Sequence, residues 1–269
     1  PAPKESDPFP PDKTYYEIPI AIQDRAFKSD GSLFYPDSRD FFDEFNGPYI
    51  PETDVSPIWN PEFFGNTIMV NGNTWPYQTV EQRRYRLRML NGCQARFLIL
   101  DFAGIPGVEV WQIGNEGGLL AEPVNLTADH KNQLLMSPAE RADLIVDFSK
   151  VELGSHILRN LGPDEPYGGG EPGEDFEMAD PETTGQILEF RVIEASGKDE
   201  STPPQFLKLP FIPDLPKATN TRRLALLEEM SMIHDGPSEA KLGVLDKNGT
   251  PSAQEWMEEV TENPGVGDS

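Results

Sequence analysis

A chain of 269 residues that is 37% hydrophobic and 10% aromatic can bury one large core or two small ones. Its 46 Asp and Glu against 22 Lys and Arg leave a net charge of -24. Such a surface repels phosphate backbones and anionic lipid, which argues against nucleic acid and membrane as partners. One cysteine, Cys93, excludes an internal disulfide and a thiolate cluster within the chain.

The acids are spread over many loops and read as a solvated surface, adapted to salt or attractive to cations. Residues 1–14 are polar and Pro-rich, with no apolar signal core. They read as an interdomain linker, cut from something longer. The segment YYEIPIAIQDRAF (Tyr15 to Phe27) alternates as a strand, and Lys28-Ser29-Asp30-Gly31 turns the chain. Residues 36–62 lack periodicity and read as a long surface loop.

FFGNTIMVNGNTWPY, Phe63 to Tyr77, reads as a strand running into a hairpin. Asn71-Gly72 can supply the positive φ angles of a tight turn, and Trp75 and Tyr77 are expected to resume alternation on the return. RRYRLRML puts Tyr85, Leu87 and Met89 on one face and Arg84, Arg86 and Arg88 on the other. Further strands follow in ARFLILDFA, GVEVWQIG, NQLLMSPAERADLIVDF, GSHILRN and TGQILEFRVI. Residues 162–184, rich in Gly and acids, read as a mobile loop between two strands. Residues 195–220 read as a Pro-rich linker and TRRLALLEEM as a strand, with a short helix expected over Ala253 to Val260. Many short strands punctuated by Gly, Asn and Pro predict an all-β sandwich or barrel.

No catalytic constellation stands out in the residues themselves. His130, His156 and His234 are scattered, and none forms a His-x-His pair. Cys93 is followed by Gln94-Ala95-Arg96-Phe97, without the His and Met of a copper thiolate loop, and reads as a small turn or core residue. Gly168-Gly169-Gly170 lacks the Lys-Ser or Lys-Thr of a phosphate cradle.

Five blocks in order carry a resemblance. They are IPIAIQDRAFKSDGSLFYP, FFGNTIMVNGNTWPY, RRYRLRMLNGCQARF, WQIGNEGGLL and LLMSPAERADLIVDF. Together they resemble the middle domain of a bacterial multicopper oxidase, in the branch of spore-coat laccase, bilirubin oxidase and phenoxazinone synthase. The resemblance implies a cupredoxin-like Greek-key β-sandwich with long acidic and Pro-rich loops over 15–194, and the start of a further such domain over 221–269. It implies a laccase-like oxidase that takes electrons from a small aromatic reductant and reduces dioxygen to water. Its copper ligands would lie in flanking cupredoxin domains, leaving this chain copper-free and inactive alone. An extracytoplasmic or cell-surface location follows from the same likeness.

Carried over by position, Pro61, Glu62 and Phe64 would face the reductant, with Phe63 packed inward and Gly162 at the rim. Phe64 stands where the family often has a small residue or a Cys, so the size of that cavity is open. Trp75, and Arg141 and Asp143 within Ser137 to Asp143, read as structural, with Arg141 expected to hold loop carbonyls or a carboxylate by forked hydrogen bonds. Two other readings stay open on sequence: a free-standing β-sandwich binding module, and a metallo-oxidase acting on manganese.

Overall fold

The computed structural model describes residues 15–36, 54, 62–233 and 237–253. Two compact units emerge among them, one made of 15–34 with 62–212 and the other of 35–36, 54, 213–233 and 237–253. The first unit is an all-β sandwich of two mixed sheets. The larger sheet runs β4-β3-β1-β6-β11-β8-β9, and β2 pairs with β1 outside that order. Its strands are β1 (Glu17–Phe27), β2 (Leu33–Phe34), β3 (Thr67–Val70), β4 (Asn73–Thr74), β6 (Arg84–Asn91), β8 (Glu109–Asn115), β9 (Gly118–Asn125) and β11 (Arg141–Asp147). The smaller sheet runs β10-β7-β12-β13-β5. It holds β5 (Tyr77–Glu81), β7 (Leu98–Asp101), β10 (Gln133–Met136), β12 (Gly154–Asn160) and β13 (Gln186–Ile193).

Period-two alternation explains the core. On β6, Tyr85, Leu87 and Met89 are buried, while Arg84, Arg86 and Arg88 lie on the outer face. One continuous cluster joins Ile20, Ile22, Leu87 and Leu144 of the larger sheet to Leu98, Leu100, Leu158 and Phe190 of the smaller. Each such side chain contributes about 1.5–3 kcal/mol by leaving water. Across the outer face, Arg86 pairs with Asp143 on β11 and Glu17 on β1, and Arg84 with Asp147. These cross-strand pairs fix register more than they add stability.

The hairpin turn is made as its residues dictate, with φ of 51° at Asn71 and 81° at Gly72. Asn71 then ties the turn to β1, its Oδ1 accepting from the Ala21 amide at 2.9 Å and its Nδ2 donating to the Pro19 carbonyl at 2.8 Å. The return strand is shorter than expected and ends at Thr74. Trp75 takes a φ of 39°, which breaks the alternation, and Tyr77 opens β5 in the other sheet. The stretch is therefore a crossover between sheets as well as a hairpin.

Residues 195–201, at the start of the Pro-rich stretch, are tied to the first unit. Arg83 donates to the Gly197 carbonyl at 2.8 Å, and Arg84 to the Ser201 carbonyl at 2.9 Å. In the second unit β14 (Leu224–Met230), β15 (Pro237–Leu245) and β16 (Pro251–Ala253) form an antiparallel sheet. Ala253, expected to begin a helix, closes β16 instead; the rest of that expected helix lies outside the described residues, as do 1–14 and His234.

Candidate functional site

Asp24 continues the inward register of Ile20 and Ile22 on β1 and is completely buried. A carboxylate in that position costs several kcal/mol unless it is paired. Its Oδ2 accepts from the Gly65 amide at 2.8 Å, and its Oδ1 from the Gln94 amide at 3.2 Å. Arg96, only 1% exposed, brings its Nε to 3.4 Å from Oδ2. That Nε contact is an ion pair without hydrogen-bond geometry.

The rest of the Arg96 guanidinium reaches outward. Nη2 donates to the Gly65 carbonyl at 2.8 Å, and Nη1 donates to the Pro163 carbonyl at 3.2 Å and to Asp164. The Phe64 ring centroid lies 5.6 Å from Cζ. Gly65 is therefore gripped on both its amide and its carbonyl. It has to be glycine for want of space: a Cβ there would stand 2.5 Å from the Arg25 backbone nitrogen. The turn bearing Arg96 is itself held by Asn91, whose Nδ2 donates to the carbonyls of Arg96 and Met136, each at 3.0 Å.

Asp164 carries the network into the acidic segment 162–184. Its Oδ2 accepts from the Thr184 hydroxyl at 2.8 Å and the Asp180 amide at 3.2 Å. Burial pushes its carboxyl up, but the Thr184 hydroxyl, the Arg96 charge and the Asp180 amide outweigh that and hold it below the ordinary aspartate value. Tyr167 packs between Phe97 and Phe176 at centroid distances of 5.2 and 5.5 Å. The Trp75 indole N–H donates to the Thr183 carbonyl at 3.1 Å. The segment read from sequence as mobile is thus pinned at several points along its length.

Arg96 brings together the two stretches nominated from sequence. Glu62 and Phe64 are half-buried at the start of the hairpin segment, and Pro61 lies outside the described residues. Gly162 is buried. Its amide donates to Asn160 Oδ1, and its carbonyl accepts from the Ala179 amide, both at 2.9 Å. Arg141 and Asp143 lie elsewhere, along a groove of about 570 Å³ with Arg86, Arg88 and Leu119. Arg141 meets the Ala139 carbonyl at 2.8 Å and Glu116 at 2.9 Å, both through Nη1, where a forked contact was expected. A separate hollow of about 780 Å³ sits beneath Gly173 to Ala179, with Arg159 and Leu161 in its wall.

No family model matches the chain. It is 35% identical over 257 residues to the laccase of Bacillus subtilis (strain 168), covering 94% of this chain and 42% of that protein. It is 32% identical over 255 residues to multicopper oxidase LPR2 of Arabidopsis thaliana, covering 94% of this chain and 38% of the relative. Among solved structures, McoA multicopper oxidase from the hyperthermophile Aquifex aeolicus aligns with a TM-score of 0.55 at 27% identity, over 81% of this chain and 40% of that one. The chain contains a cupredoxin-like domain of the multicopper-oxidase family. It spans about four-tenths of the length of the curated relatives it matches.

Among the described residues of this multicopper-oxidase domain, the Cys and His donors do not fit a copper centre. The Cys93 thiol is buried, and desolvation with the nearby Asp24 charge pushes its pKa up to about 12. A copper ligand needs the opposite environment, one that favours thiolate. The Cys93 sulfur instead faces the Ile22 carbonyl at 3.9 Å. His130 is exposed at the end of the helical turn Leu126–Asp129, while His156 on β12 engages the Glu152 carbonyl at 2.8 Å through Nε2. Among the described residues no three His, Cys, Asp or Glu gather as metal holders.

Sequence reasoning missed Asp24 and Arg96. Asp24 had a signal: an acid in phase with Ile20 and Ile22 faces the core, where it demands a cation. Nothing local marked Arg96 among the other arginines.

Proposed function

We propose that the chain is the middle domain, with the start of the third, of a laccase-like multicopper oxidase of the spore-coat laccase branch. The parent enzyme oxidises small phenolic reductants, and four such one-electron steps with four protons reduce one dioxygen to two waters. Copper is held by the flanking cupredoxin domains. This domain sets their spacing and lines the reductant cavity with Pro61, Glu62 and Phe64, while Arg141, Asp143 and Trp75 keep the frame. An extracytoplasmic location belongs to the same reading. Alone, the chain is inactive and free of copper.

The observation that carries this is the likeness to a laccase across 94% of the chain. The fixed backbone at Phe64-Gly65 adds to it, since a cavity wall must hold position to within a fraction of an ångström to orient a substrate. The test uses the full-length protein and the 269-residue chain side by side. Copper analysis and dioxygen uptake with a substituted phenol should show metal and turnover in the first alone. Phe64→Ala in the full-length protein should shift KM for the phenol and leave copper content unchanged. Stoichiometric copper with turnover in the short chain, or no phenol oxidation by the long one, overturns the reading.

A further inference from the structure

We propose that Arg96 is a positioning residue for the reductant cavity. It locks the Phe64-Gly65 wall to the acidic segment 162–184, so that Asp164, outside the wall, helps set which reductants fit. The inference rests on the placement of Phe64 at the cavity made above.

The geometry is that of a two-ended clamp. At the inner end, Gly65 is held through its amide by Asp24 and through its carbonyl by Arg96. At the outer end, the same guanidinium holds the Pro163 carbonyl and Asp164. Arg96 is 1% exposed and the Asp164 side chain 42% exposed, so the clamp runs from the core to the surface. A planar guanidinium cannot satisfy one end while the other moves freely, because its donors lie in one rigid plane. The ends differ in purchase. Gly65 abuts the Arg25 backbone, whereas Asp164 depends on the side chain of Thr184 and the amide of Asp180. Loosening the Asp164 end therefore costs the core little and relaxes the wall where it depends on Arg96, at the Gly65 carbonyl.

In the full-length protein, Asp164→Ala removes the charged half of the outer grip from an exposed position, leaving the Pro163 carbonyl bond and the core carboxylate in place. Amide hydrogen exchange over residues 62–66 should quicken by about 10-fold, as expected for loss of one charge-assisted bond. KM for a bulky substituted phenol should change by about threefold or more, while kcat with a small outer-sphere inorganic donor stays as it was. Arg96→Lys keeps the charge without the fork and should give intermediate exchange. If Asp164→Ala fails to fold, Thr184→Val takes one bond from Asp164 and serves the same comparison. Unchanged exchange over 62–66 overturns the coupling. Faster exchange with unchanged KM upholds the coupling and overturns instead the placement of Phe64 at the cavity.

Discussion

Replacing Gly65 by alanine tests how tightly the Phe64-Gly65 segment is held. The new Cβ would stand 2.5 Å from the Arg25 nitrogen and 2.7 Å from its carbonyl carbon and oxygen. Ordinary contact begins near 3.4 Å, so the strand or the segment must shift by about 1 Å. The obstruction is backbone of β1, which has no rotamer to turn away. Overpacking of this kind costs about 1–3 kcal/mol. The shift also lengthens the 2.8 Å bonds from the Gly65 amide to Asp24 and from Arg96 to the Gly65 carbonyl. Losing one hydrogen bond to a charged partner adds about 1.5–3 kcal/mol. Together the penalty is about 2.5–6 kcal/mol, a fall in Tm of about 5–24 °C for a domain of this size. Thermal unfolding followed by circular dichroism measures it. Gly168→Ala is the control, since no atom lies within 4 Å of its added Cβ. A Gly65→Ala midpoint within about 2 °C of the parent would refute the reasoning.

Arg96→Leu should destabilise by about 3–5 kcal/mol, because it strands the buried Asp24 carboxylate. Asp24→Leu should cost less, since Arg96 keeps Asp164, and the double variant should cost less than the sum of the two; urea titration of all three supplies the cycle. Asp164 contributes stability that depends on pH. Its folded value lies below the unfolded one, so the contribution is complete above the unfolded value of about 3.9 and is lost as pH falls through the folded value. Asp164→Ala should therefore narrow the stability gap between neutral and acid solution, read from unfolding midpoints at each pH. Cys93 should resist thiol reagents until the chain unfolds. A rise from 9.0 to about 12 leaves on the order of 10³-fold less thiolate at pH 8, so labelling of native protein should follow global opening.

How much was legible depended on whether a residue's role was local. The alternation of Tyr85, Leu87 and Met89 with three arginines marks β6 without help from the rest of the chain. The Asn71-Gly72 turn is equally local. Strand β9 was passed over because GLLAEPVN has a Pro and a Glu at its centre and no buried stripe. Strand β15 was passed over because the stretch after Met230 is polar and carries little core, and it is supported by pairing with β14. The break at Trp75 follows from the change of sheet, which no period in the sequence records. The same limit applies to the site. Glu62 and Phe64 came from likeness to a family, whereas the clamp joins β1, the segment after Glu62, the turn before β7 and the loop after β12. Contacts between residues so far apart in the chain appear once the topology is known.

That topology has a consequence for synthesis. Strand β1 lies between β3 and β6, and its ladder with β6 is parallel, Glu17 meeting Arg86. Strand β1 of the larger sheet thus waits for a parallel partner 69 residues behind it, with the edge that β6 will cover open until then. In the smaller sheet, strand β5 waits likewise for the parallel β13, the last of its strands to be made. A domain of this design leaves strand edges unpaired until its last strands are made, which slows its closure.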